Sequence, residues 1–142
     1  MEHSTVVDIA ASPQRVWQVL TDVERWPDWT RSVRWVRRLE EGPLRTGSRA
    51  KISQPRLPTV DWTVIDLEPE EGFTWVSTGP GSKATARHWI QPLPGGGSTV
   101  RLSVEQSGPL GVLVGRLYSG LTDRYLAMEA AGLKRQCEAS VT

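Results

Sequence analysis

The sequence predicts an α+β domain in which a curved, seven-stranded antiparallel sheet wraps a long C-terminal helix, with two short helices between strands 1 and 2. Three observations carry this. The first 29 residues pass from strand alternation to helical spacing, residues 33–107 break into six short segments separated by turn residues, and residues 110–138 return to helical spacing. A length of 142 residues with 38% hydrophobic and 23% charged side chains suits one globular domain spanning 1–142, with no linker and no internal repeat.

The elements follow in order. His3, Thr5, Val7 and Ile9 alternate with Ser4, Val6 and Asp8, as in a half-buried strand. Ser12 followed by Pro13 reads as a helix cap and first helical residue, and Val16, Trp17 and Leu20 then share one helical face. Pro27 stops a continuing helix, so Asp22 to Trp29 is expected to form a second short helical turn. Strands are expected at Val33 to Leu39, Ser48 to Gln54, Val60 to Glu68, Phe73 to Thr78, Ala84 to Ile90 and Thr99 to Ser107. Each ends in a turn sequence such as EEGPLRTG, PRLP or PLPGGGS. From Leu110 to Glu138, Leu113, Leu117, Leu121, Tyr125 and Met128 recur at three and four residues, which predicts one helix of about 28 residues, roughly 40 Å long. Gly111, Gly115 and Gly120 weaken its first half by up to about 1 kcal/mol each, so that half either frays or leaves space beside it.

A sheet with one apolar face and a single long helix must curl around that helix. The space between them becomes a cavity unless bulky side chains plug it. The composition bears on this point, because seven of ten aromatic residues are Trp. Trp17, Trp26 and Trp29 are expected to close the helical end of the domain. Trp62 shares strand parity with Val60 and Val64, and Trp75 with Phe73, so both face the concave side, where they either line a pocket or fill it.

His88 shares parity with Ala84, Ala86 and Ile90, which places an imidazole on the apolar side among small neighbours. It is a candidate hydrogen-bonding or acid/base group, or else a satisfied core histidine. Asp61 and Asp66 are candidate carboxylate partners, with strand-end solvation as the alternative. Tyr118 and Tyr125 lie seven residues apart on one helical stripe, from which their hydroxyls could meet a ligand. The candidate ligand-binding set is Trp62, Trp75, His88, Ile90, Leu117, Leu121, Tyr118 and Tyr125.

A basic cluster of Arg31, Arg34, Arg37, Arg38, Arg45, Arg49, Lys51 and Arg56 is opposed by Glu40 and Glu41. It reads either as a solvated outer face or as a surface for an anionic partner such as an acyl carrier protein, phospholipid headgroups or nucleic acid. The net charge of +1 supplies no global field, and no aromatic platform accompanies the cluster, so no nucleic-acid partner is expected. Two His separated by 85 positions and one Cys lack metal-ligand spacing, the glycines precede no helix that could hold phosphate, and no GxSxG motif is present. No cofactor is expected. One cysteine and no signal-like N-terminus suggest a cytoplasmic protein, no segment is apolar enough for a membrane span, and a homodimer is compatible with the sequence.

The segment VVDIAASPQRVWQVLTDVERWPDW (Val6 to Trp29), together with IQPLPGGGSTVRL (Ile90 to Leu102) and the closing Ser107 to Glu138, resembles the START/Bet v 1-like superfamily (SRPBCC), in its polyketide cyclase/dehydrase and lipid transport branch. The resemblance implies a helix-grip fold with a deep pocket between sheet and C-terminal helix, which in relatives holds lipids, polyketides, sterols or plant hormones. No catalytic motif is universal in that superfamily, so no catalytic residue is carried over. Three expectations follow: a module that binds or carries a hydrophobic small molecule, a cyclase, aromatase or dehydratase that uses His88 to move protons, or an interaction domain with a filled core.

Overall fold

A computed structural model describes residues 1–139. The chain forms β1 (Glu2–Ile9), α1 (Pro13–Thr21), a 3-10 helix (Val23–Asp28), β2 (Trp35–Arg38), β3 (Arg49–Ser53), β4 (Val60–Glu68), β5 (Gly72–Gly79), β6 (Ser82–Pro92), β7 (Ser98–Ser107), α2 (Pro109–Leu117) and α3 (Ser119–Glu138). The seven strands make one antiparallel sheet in the order β1-β7-β6-β5-β4-β3-β2. Each strand from β2 to β7 therefore pairs with its sequence neighbour, as hairpin connections require. The segment holding α1 and the 3-10 helix carries the chain from one sheet edge to the other.

Local signals explain the helical starts. Ser12 Oγ accepts the Arg15 N–H at 3.1 Å, which satisfies a first-turn donor, and Pro13 sits where its missing N–H costs nothing. At the far end of α3, the Glu138 carboxylate accepts the Ala10 N–H at 2.7 Å and the Lys134 ammonium at 2.8 Å, and Lys134 also donates to the Asp8 carbonyl. The helix is thereby clamped to the β1–α1 corner. Its central approach is closer still. A Cβ on Gly132 would stand 1.9 Å from the Trp29 carbonyl oxygen, so only glycine lets α3 lie this deep.

The C-terminal region departs from one continuous helix. The chain leaves helical geometry at Tyr118 (φ −103°, ψ 17°), which separates α2 from the 20-residue α3. The two halves turn different faces to the sheet. In α2 the buried residues are Gly111 and Gly115, whose positions lie against Ser82 and Lys83 and against Gln106, respectively. Leu113 and Leu117 are consequently 63% and 75% exposed. The glycines thus serve close packing, and the leucine stripe that predicted a single helix points outward over this half.

One irregularity also changes strand parity. Between Val64 and Asp66 the β4–β5 register shifts at a bulge, where Ile65 turns out to solvent. Before it, Trp62 opposes Ala50 and Val64 opposes Trp75 on the concave face. After it, Leu67 takes that face opposite Phe73, and Asp66 lies outside opposite Thr74. The core joins the concave face to α1, the 3-10 helix and α3 through Ile9, Val16, Leu20, Val23, Phe73, Val100, Leu126 and Leu133.

Candidate functional site

Between the concave face of β3 to β7, the β3–β4 loop and helices α2 and α3 lies a cavity of about 490 Å³. Its walls are mostly apolar: Trp26, Val33, Ile52, Val60, Trp62, Trp75, Ala84, Ala86, Leu102, Val104 and Leu126. Small residues at Ala84 and Ala86 leave the room that larger side chains would occupy. Two other hollows lie elsewhere. One is lined by Arg15, Asp22, Arg25 and Asp28 beside α1, and a groove of about 690 Å³ runs along Pro69, Glu70, Glu71, Trp89 and Arg101. Both carry several charged side chains, unlike the cavity.

Trp62, Trp75, His88, Tyr118 and Tyr125 line the cavity. Ile90 is packed into the core and does not border it, while Leu117 projects to solvent and Leu121 is half-buried outside the lining. The break at Tyr118 and the rotation of α2 onto its glycines account for the two leucines. The tryptophans divide differently from the sequence expectation. Trp17 packs edge-on to Phe73 and Trp29 abuts Gly132, but Trp26 faces the cavity, 5.4 Å from Trp75 and 5.7 Å from His88 between ring centres. Its indole N–H donates to the Leu20 carbonyl at 3.0 Å, which fixes the ring. Trp62 and Trp75 continue the aromatic wall at 5.9 Å.

His88 is built from two strands. Its ring stacks on Phe73 at 4.2 Å and 13°, and Nδ1 lies 3.1 Å from the Phe73 carbonyl oxygen. A carbonyl only accepts, so Nδ1 carries the proton, and in the neutral ring Nε2 is the acceptor. Burial pushes the imidazole pKa down to about 4, against the smaller upward pull of the Phe73 carbonyl bond. The ring is therefore neutral near pH 7. Gly72 permits the strand approach, because a Cβ there would stand 2.2 Å from the His88 carbonyl oxygen.

The carboxylate of the cavity is Glu129 on α3, which the sequence reading did not single out. Asp61 instead pairs with Lys51 at 3.1 Å on the outer face, and the bulge sends Asp66 outward. Glu129 Oε1 accepts from Ser32 Oγ at 3.3 Å, and Ser32 shares a 2.7 Å hydroxyl contact with Thr30. Burial raises the Glu129 pKa to about 7, moderated by the Ser32 bond. One signal was available in sequence: Glu129 is four residues past Tyr125, one helical turn along the same face.

Further polar groups complete the lining. Tyr125 donates its hydroxyl to the Pro55 carbonyl, which ties α3 to the β3–β4 loop at the cavity wall. The Trp62 indole N–H is buried and has no partner among the described residues. Within the basic cluster, exposed Arg56 sits on the β3–β4 loop beside the lining residues Leu57 and Pro58, and several other members are engaged outside the cavity. Arg49 meets Glu40 at 3.1 Å, Lys51 meets Asp61, Arg38 donates to the Gly42 carbonyl, and Arg37 covers the Trp35 ring at 5.4 Å. Among the described residues, no group of three or more His, Cys, Asp and Glu is placed to hold a metal ion, and no helix is long and apolar enough to cross a membrane.

The chain shares its fold with solved structures. The Zhui aromatase/cyclase from Streptomyces sp. R1128 superposes with a TM-score of 0.78 at 17% identity, over 97% of this chain and 93% of that one. TTHA0849 from Thermus thermophilus gives 0.77 at 19% identity, over 100% of both chains. A START superfamily protein from Mycobacterium smegmatis gives 0.72 at 20% identity, over 95% of this chain and 97% of that one. No curated protein matches the sequence. The family model for polyketide cyclase / dehydrase and lipid transport matches residues 2–138. With that match over nearly its full length, and with the helix-grip architecture described above, the chain belongs to the polyketide cyclase / dehydrase and lipid transport family.

Proposed function

We propose that this protein binds an apolar small molecule of the lipid or polyketide class in the cavity beneath α2 and α3. The carrying observation is that Trp26, Trp62 and Trp75 line the cavity without filling it, which leaves about 490 Å³ behind an aromatic wall. That volume lies in the range of small-molecule sites. An open cavity also speaks against a solid interaction domain. The test is native mass spectrometry of the protein purified from its host's extract, beside an Ala84→Trp variant. Ala84 is half-buried on the concave face, so a ring there enters the cavity and not the packed core. A small-molecule adduct on the wild type that is missing from the variant supports the reading, and an adduct retained by both refutes it.

A second reading has its own observation. His88 and Glu129 line one cavity, and burial shifts their proton affinities toward each other's usual range, as in sites that pair a base with an acid. Neutral His88 offers Nε2 to take a proton from carbon beside a ketone, and protonated Glu129 can donate to a departing hydroxyl. Cyclisation and dehydration of a polyketide chain need those two transfers, with most of the rate coming from the conformation the cavity imposes. The aromatase/cyclase that shares the fold makes this chemistry the one to assay. Unchanged turnover in His88→Ala removes the enzyme reading and leaves the binding one.

A further inference from the structure

The charge of the cavity lining has one sign. Glu129 is the acid in the wall, His88 is neutral near pH 7, and the cation among the described lining residues, Arg87, directs its guanidinium to Glu105 at 4.0 Å. Arg87 opposes Ser103 and Glu105 opposes Thr85, positions that alternate along β6 and β7 with Ala86, His88, Leu102 and Val104, so by parity the two charged side chains leave the sheet on the face opposite His88. Ser32 occupies Oε1 of Glu129, and among the described residues no hydrogen bond reaches Oε2. The other polar residues of the lining are uncharged, among them His88 with its Nε2 lone pair, Ser77, Gln106 and Tyr118.

We infer that the cavity selects its ligand by the charge of the polar end, with Glu129 as the deciding residue: it takes an apolar molecule headed by a hydrogen-bond donor that is not anionic, a hydroxyl or an ammonium, and rejects the same molecule headed by a carboxylate. This inference rests on the binding reading above. A hydroxyl donates to the carboxylate of Glu129. An ammonium gains a charge-assisted bond there and neutralises the Glu129 carboxylate. A carboxylate head brings a second anion beside Glu129, while the cation among the described lining residues, Arg87, is engaged by Glu105, and a desolvated charge without a partner is strongly disfavoured. At the separations and effective dielectric of such a site, the discrimination between ammonium and carboxylate is expected to exceed about tenfold.

The test is displacement of N-phenyl-1-naphthylamine, a neutral fluorescent probe, from the full chain at pH 8. Dodecanol, dodecylamine and dodecanoate compete below their micelle-forming concentrations against the wild type, Glu129→Gln and Ala84→Trp. In the wild type, dodecanol and dodecylamine should compete at concentrations at least about tenfold lower than dodecanoate. In Glu129→Gln, the gap between amine and carboxylate should shrink by about tenfold. Equal competition by dodecanoate in the wild type, or an unchanged gap in Glu129→Gln, overturns the inference while leaving the binding reading intact. A probe that does not bind the wild type, or binds Ala84→Trp equally well, overturns the binding reading and this inference with it.

Discussion

Desolvating a histidine and a glutamate in one cavity has a consequence for stability that can be read without knowing the ligand. The His88 pKa falls from 6.5 to about 4, and the Glu129 pKa rises from 4.5 to about 7. Between pH 4.5 and 6.5 the unfolded chain holds a proton on His88 that the folded chain lacks, so the histidine makes stability rise with pH. Its full contribution is present above 6.5 and is lost as pH falls toward 4. Over the same window the folded chain holds a proton on Glu129 that the unfolded chain lacks, so the glutamate makes stability fall with pH. Its contribution is full below 4.5 and is lost as pH rises through 7. Each slope is about 1.4 kcal/mol per pH unit, and the two cancel.

Removing either partner exposes the other. Relative to wild type, the unfolding free energy of Glu129→Gln should climb by about 1.4 kcal/mol per unit from pH 4.5 to 6.5, a total of about 3 kcal/mol. His88→Gln should decline relative to wild type by the same amount, and the double variant should run parallel to wild type. Urea denaturation followed by tryptophan fluorescence, at half-unit pH steps, measures this directly, and unchanged m-values would show that the unfolded ensemble is not the source. Contributions from other carboxylates, such as Glu40 and Glu138, are common to all four proteins and drop out of the differences. A Glu129→Gln profile parallel to wild type would refute the claim that the cavity wall desolvates this carboxyl.

Two further outcomes test the packing. Gly132→Ala forces a methyl group against the Trp29 carbonyl oxygen and should cost about 3 kcal/mol or more, read as a lower urea midpoint at constant m; a loss below about 0.5 kcal/mol would mean that α3 does not lie this close. Cys137 is buried, and that burial pushes its thiol up to about 11, so at pH 8 about one molecule in a thousand carries the thiolate. Its reaction with an aromatic disulfide should be slow in the native protein and accelerate in step with unfolding in urea, whereas native reactivity equal to that of a free thiol would place it at the surface.

The sheet was legible because alternation is a local signal. Val100, Leu102 and Val104 against Arg101, Ser103 and Glu105 declare an inner and an outer face, and the turn sequences mark where each strand ends. The bulge at Ile65 was not legible by the same rule, since one extra residue in β4 leaves composition unchanged yet reverses parity downstream and sends Asp66 out. The break at Tyr118 was missed for a related reason. A leucine stripe at helical spacing ordinarily marks the packed face, but close packing of α2 onto the β6–β7 hairpin needs the narrow surface of Gly111 and Gly115, and that requirement outweighs burial of Leu113 and Leu117.

The site divides along the same line. His88 could be found from its strand because parity puts it between Ala86 and Ile90 on the inner face. Glu129 could not be found from a strand at all. A glutamate on a long helix is ordinarily solvated, and what turns this half-buried one to the cavity is depth: Gly132 lets α3 sink against Trp29, and the loop carrying Thr30 and Ser32 then presents a hydroxyl to the carboxyl. Trp26 reaches the wall by a comparable non-local step, since the 3-10 helix turns its ring past the end of α1 and onto Trp75. The tryptophan-rich composition therefore marks the cavity only in part. Its aromatic wall is assembled from both ends of the domain, and its charge is set by one helical residue whose environment exists only once the helix has docked.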